Sequence, residues 1–147
     1  MAKILLIDDS TTLLTLIKRM LIAGGHEVIA TASGSGAVEH LATSRVDLVL
    51  TDLYMPPPDG FEIVQAVRAL PEPPPLVVMS SNTQAYEVFR DARALGAAAA
   101  LQKPFSAEQL LETIQSVLSN AAKMVSTSAP LTTDIGVGAD EAVLPPR

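Results

Sequence analysis

The sequence predicts an α/β protein in which a parallel sheet is covered by helices on both faces. Two observations carry this. Short, unbroken apolar runs alternate with segments of helical period, five times over, along the first 120 residues. And helices of this length between successive strands force those strands to run parallel, with the crossovers lying on the sheet. A strand covered on both sides needs no polar alternation, so its run is continuous.

The elements follow in order. Residues 4–7 (Ile-Leu-Leu-Ile) form the first run, ended by Asp8-Asp9. Ser10 and Thr11 are helix-start residues. Leu13, Leu16, Ile17, Met20 and Leu21 then recur at helical spacing, and Gly24-Gly25 closes the helix. A second strand is predicted over 27–30. A weaker helix follows over 33–43, with Gly34 and Gly36 near its start. The third strand, 48–51, is again followed by an acid, Asp52. Pro56-Pro57-Pro58 and the turn pair Asp59-Gly60 force a loop over 54–60. Phe61, Val64 and Val67 mark the next helix, which Pro71 stops. Residues 76–79 form the fourth strand, 84–95 a helix stopped by Gly96, and 97–101 an alanine-rich fifth strand. Ser106-Ala-Glu-Gln109 is a capping box opening a last helix with Leu110, Leu111, Ile114, Val117 and Leu118.

The domain is therefore expected to span 1–120. Residues 121–147 are Ala, Ser, Thr, Gly and Pro with scattered acids and no sustained period, and read as a flexible tail.

Composition narrows the function. Hydrophobic residues make up 48%, enough for a core, and the formal net charge is -6. An acidic chain without a basic cluster argues against a nucleic-acid partner. Cysteine is absent, which rules out thiolate metal sites and fits a cytoplasmic protein. No run approaches the 18 or so apolar residues of a membrane span, and the four-residue run at the N-terminus is too short for a signal-peptide core.

Parallel strands bring their carboxyl ends to one edge of the sheet, where ligands of open α/β folds bind. The predicted strands end there on Asp8 and Asp9, on Asp52, on Ser80 and on Lys103. Any one of these alone would be a cap, a turn residue or a solvated lysine. Their coincidence at one rim is not explained that way. Two like charges about 4 Å apart repel by roughly 4 kcal/mol at an effective dielectric of about 20. Lys103 offsets one charge, and a divalent cation would offset two more. Carboxylate oxygens suit Mg²⁺ or Mn²⁺ rather than zinc. Such an ion completes its shell with phosphate, so the site suits phosphoryl transfer to a carboxylate.

With these residues in view, the chain resembles a response-regulator receiver domain of the chemotaxis-regulator type. The likeness covers about residues 2–120. It rests on Ile-Leu-Leu-Ile-Asp8-Asp9, on the run from Asp47 through Asp52 to Met55-Pro56 with Asp59-Gly60, on Val78-Met-Ser80, and on Lys103-Pro104-Phe105. The resemblance implies a flavodoxin-like (βα)5 three-layer sandwich with strand order 2-1-3-4-5. It implies a stand-alone, cytoplasmic signalling switch in a two-component phosphorelay, not a turnover enzyme beyond its own phosphotransfer and slow autodephosphorylation. Its partners would be a sensor histidine kinase or histidine phosphotransfer domain and a downstream protein.

The resemblance also implies roles. Asp52 would be the phosphoacceptor. Asp9, Asp52 and the backbone carbonyl of Tyr54 would ligate Mg²⁺ (or Mn²⁺), with Asp8 acting through a bound water. Lys103 would pair with Asp52 at rest and with phosphoryl oxygens afterwards, and Ser80 would hydrogen-bond the phosphoryl group. The Lys103-Pro104 bond would be cis. Tyr54 and Asn82 would tune phosphoryl lifetime. Tyr86, Phe89 and Ala100, with the last helix, would belong to the output face. Two positions depart from the family. Ala100 stands where an aromatic residue usually gates the switch, and Ser81 stands where alanine is favoured beside the active site. An aspartyl-phosphate hydrolase would need a cap domain and a second acid at Tyr54, and neither is present. A flavin module would need a phosphate loop free of acids and ring-stacking aromatics, which make up only 3% of the chain.

Overall fold

A computed structural model describes residues 1–81 and 85–126. The elements are β1 (Lys3–Ile7), α1 (Thr11–Ala23), β2 (Glu27–Thr31), α2 (Gly34–Thr43), β3 (Leu48–Asp52), α3 (Gly60–Arg68), β4 (Leu76–Ser80), α4 (Ala85–Leu95), β5 (Ala99–Gln102) and α5 (Ala107–Ser126). All four strand pairings are parallel, and the order is β2-β1-β3-β4-β5. This is the flavodoxin-like sheet that the resemblance implies.

Alternation along each strand divides the core in two. Ile4, Leu6, Leu48, Leu50, Val77 and Met79 face α1 and α5, where they meet Ile17, Leu21, Leu110 and Ile114. Leu5, Ile7, Val49 and Val78 face the other way, onto Ala37, Ile63, Val64, Val67 and Ala92 of α2, α3 and α4. The central strands β3 and β4 are buried at every residue, which accounts for their unbroken apolar runs.

Two boundaries differ from expectation by more than one residue. The fifth strand begins at Ala99, not Ala97. Gly96, at a φ of 122°, turns the chain out of α4. Ala97 then packs into the second core cluster, and the Ala98 N–H donates to the Leu76 carbonyl at 2.7 Å before the ladder starts. Alanine favours helix, so sequence pattern cannot mark this strand's start. The last helix runs on to Ser126, beyond the expected end at Asn120. Ala121, Ala122, Lys123 and Met124 are strong helix formers, and neither glycine nor proline interrupts them. Residues 121–126 of the expected tail are thus helical, and residues 127–147 lie outside the described residues. No described helix is long and apolar enough to cross a membrane.

Candidate functional site

The carboxyl ends of β1 and β3 are neighbours, with Ile7 beside Thr51. The chain's order across the sheet reverses here, because β2 lies on one side of β1 and β3 on the other. Asp8, Asp9 and Asp52 therefore meet at this edge. Each offers a carboxylate oxygen, and these atoms lie within 4.8 Å of one another. Asp8 and Asp52 are buried, and Asp9 is exposed.

Local structure fixes each group. Ser10 caps α1, its hydroxyl accepting the Leu13 N–H at 3.3 Å. The same turn directs the Ser10 N–H onto Asp8 Oδ1 at 3.0 Å. Asp8 Oδ2 accepts from Lys103 Nζ at 2.7 Å, and Asp52 Oδ1 lies 3.4 Å from that nitrogen. The expected pair of Lys103 with Asp52 is present, and Lys103 makes a second, shorter contact to Asp8. The reason is steric and electrostatic. Asp8 is fully buried and oriented by the backbone bond to its other oxygen, so it presents a fixed acceptor that the lysine reaches from β5. Lys103 is itself held by its N–H donating to the Ser80 carbonyl at 2.8 Å. Ser80, at the end of β4, is fully buried.

Burial raises the Asp52 pKa above its ordinary value of 3.8. The Lys103 charge and hydrogen bond act against the rise, and the neighbouring charges of Asp8 and Asp9 add to it. The site thus holds one ammonium against three carboxylates, and still lacks positive charge.

The remaining predicted residues are placed as follows. Tyr54 follows β3 and is half exposed, its ring edge-on to Phe61 with centroids 6.2 Å apart. Ser81 is exposed beyond β4. Ala100 is half-buried on β5 beside Val78, and it lines an open cleft of about 380 Å³ with Thr113, Ser116 and Val117 of α5. Phe89 packs at the margin of the second core cluster. Asn82 and the Tyr86 side chain lie outside the described residues. The Lys103-Pro104 bond is cis, and so is Pro57-Pro58, which was not anticipated. Beside Lys103 an apolar recess of about 340 Å³ opens between Leu13, Leu16 and Met20 of α1 and Pro104 and Phe105.

Sequence reasoning missed two supports of the site. Asp59 caps α3 in a reciprocal box with Glu62, although its Asp-x-x-Glu spacing was visible. Gly60 brings α3 so close to the end of β3 that a Cβ there would stand 2.3 Å from the Asp52 carbonyl oxygen. No local pattern signals that approach.

A sequence model of the response regulator receiver domain matches residues 4–115. The chain belongs to this family. As a receiver domain it is 33% identical over 117 residues to the chemotaxis protein CheY of Bacillus subtilis, covering 79% of this chain and 97% of that protein. It is 34% identical over 116 residues to the response regulator protein FleR of Pseudomonas aeruginosa, but covers only 24% of it. The crystallised chemotaxis response regulator CheY4 of Vibrio cholerae superimposes with a TM-score of 0.74 at 34% identity, covering 80% of this chain and 98% of that one. Receiver domains of two-component response regulators are signalling switches.

Proposed function

We propose that this receiver accepts a phosphoryl group on Asp52 from a phosphohistidine, in a reaction that needs Mg²⁺ or Mn²⁺, and that the modification alters its binding surface. The observation that carries the reading is the convergence of Asp8, Asp9 and Asp52 with Lys103 at the switch point of the sheet.

The donor set fits a hard divalent cation. Three carboxylate oxygens within 4.8 Å of one another form an all-oxygen, charge-deficient group. Asp9, Asp52 and the Tyr54 carbonyl would hold the ion, with Asp8 contributing directly or through water. When bound, it neutralises charge on the transferring phosphoryl group.

The chain's own residues do the rest. An Asp52 carboxylate oxygen attacks phosphorus as the nitrogen–phosphorus bond of the donor breaks, leaving an acyl phosphate on Asp52, while the donor ring, protonated on its other nitrogen, departs as neutral imidazole. Burial strips water from the nucleophile. Lys103, close to both Asp8 and Asp52, turns from carboxylate to phosphoryl oxygen with little movement. The Ser80 hydroxyl donates to another phosphoryl oxygen and couples phosphorylation to the segment after β4. Ser81 is small enough to leave the approach open.

The donor would be a histidine kinase or histidine phosphotransfer domain. The apolar recess beside Lys103 would seat its side chains next to the reacting histidine. Because such donors are charged from ATP, the exchange belongs in the cytoplasm. The output is a downstream protein partner, reached by a shift between pre-existing conformations rather than by turnover of a substrate. Intact mass after incubation with acetyl phosphate and Mg²⁺ tests the chemistry. One phosphoryl adduct is expected on the wild type, and none without the cation or in Asp52→Ala. An adduct that survives either change would refute the assignment.

A further inference from the structure

We propose that Gly34, the first residue of α2, is a positioning residue for the metal site, because the loop between β3 and α3 rests on it. The inference rests on the phosphoacceptor reading above. A Cβ at Gly34 would stand 2.1 Å from the Pro58 carbonyl oxygen and 2.8 Å from Pro58 Cγ. The first is a backbone atom that cannot rotate away. Gly34 is buried, and it is not among the described glycines with positive φ. Glycine is therefore required here for space and not for backbone freedom. It also disfavours helix relative to alanine, so α2 begins on a weak helix former where the loop needs the room.

The loop cannot absorb a push at Pro58 locally. Its ends are tied together by the Gly60 N–H, which donates to the Leu53 carbonyl at 3.0 Å. Gly60 is itself wedged against the Asp52 and Leu53 backbone. Asp59 is fixed as the cap of α3. Pro56, Pro57 and Pro58 each have a locked φ. Displacement of Pro58 therefore passes to Met55 and Tyr54, and the Tyr54 carbonyl is the backbone ligand assigned to the ion. Gly34 sets the height of that carbonyl through a stiff proline strut.

The test is a Mn²⁺ titration of the full chain, with free ion read by electron paramagnetic resonance. Wild type is compared with Asp52→Asn, Gly34→Ala and Gly36→Ala, and thermal melts check that each variant folds. Gly36 lies in the same turn of α2, but its Cβ would meet the Thr31 hydroxyl at 2.3 Å and not the loop. Gly34→Ala should weaken Mn²⁺ binding at least threefold, and Gly36→Ala should leave it unchanged. Equal affinity in wild type and Gly34→Ala, or an equal loss in both glycine variants, overturns the inference. If wild type binds no Mn²⁺, or Asp52→Asn binds it as tightly, the phosphoacceptor reading fails first. Should Gly34→Ala not fold, Pro58→Gly decides. It removes the strut without adding bulk, so a threefold loss supports the role of the contact and an unchanged affinity overturns it.

Discussion

Asp52 sits in a site that makes its own ionisation unfavourable, and this has consequences for stability. Its pKa is raised in the fold chiefly by burial, so the folded state holds a proton that the unfolded chain has released. The window opens at the ordinary value of 3.8 and extends to the raised value. Below it the group does not affect stability. As pH rises through it, stability falls, and above it the full cost of a buried anion remains. Asp52→Asn should therefore raise the melting temperature of the metal-free protein at pH 7, with the gap over wild type closing as the pH approaches 4. A variant no more stable than wild type at pH 7 would contradict the sign. Mg²⁺ affinity should fall as acid protonates the same oxygen, a trend that calorimetric titration across pH reads directly. In the proposed reaction Tyr54 would act at the other end, on hydrolysis. Its half-exposed ring, two residues along the chain from Asp52, packs edge-on against Phe61. If it obstructs the in-line approach of water, Tyr54→Ala should shorten the lifetime of the phosphorylated protein. An unchanged decay, followed by loss of the mass adduct, would remove that role.

The elements show which parts of the site the sequence could reveal. Acids at the ends of the first and third strands, and the lysine after the fifth, were legible because a buried parallel strand ends abruptly on its first charge. Asp8, Asp52 and Lys103 stand where that rule puts them. The expected Lys103–Asp52 pair is present, but the shorter contact to Asp8 was not legible. It depends on the Ser10 N–H orienting Asp8, a contact made by the geometry of one turn. The start of β5 was hidden because its alanines carry no strand preference, and the end of α5 because composition changed before helix propensity did. The cap of α3 was written in the sequence as Asp59-x-x-Glu62, but the neighbouring glycine made the pair read as a turn. Both halves of the box are present, Asp59 Oδ1 accepting the Glu62 N–H at 3.0 Å and Glu62 Oε1 accepting the Asp59 N–H at 2.9 Å. Asp59→Ala should cost about 1 kcal/mol of stability, measurable as a lower denaturant midpoint at unchanged slope. Because this cap anchors the loop that carries Tyr54, weaker metal binding should accompany it.

At the scale of the molecule, the sheet separates the source of stability from the seat of chemistry. Two apolar layers hold the strands together, while the acidic rim lies at one edge, where the buried Asp52 carboxylate costs stability when it is ionised. An ion that binds only the folded state stabilises it by mass action, by about 2.7 kcal/mol at one hundred times its dissociation constant. For a domain of this size that is a rise of on the order of 10 °C in melting temperature. Ile114, fully buried along α5, belongs to the layer and not to the rim. Ile114→Ala should cost about 2–5 kcal/mol through the cavity it leaves. If layer and rim are independent, their free energies add. Mg²⁺ should then restore the same increment to Ile114→Ala as it gives the wild type, and almost none to Asp52→Asn. A much smaller increment in Ile114→Ala would mean that the core on the α5 side helps to shape the rim. The two-layer separation would then have to be abandoned in favour of a site whose ligand positions depend on packing throughout the fold.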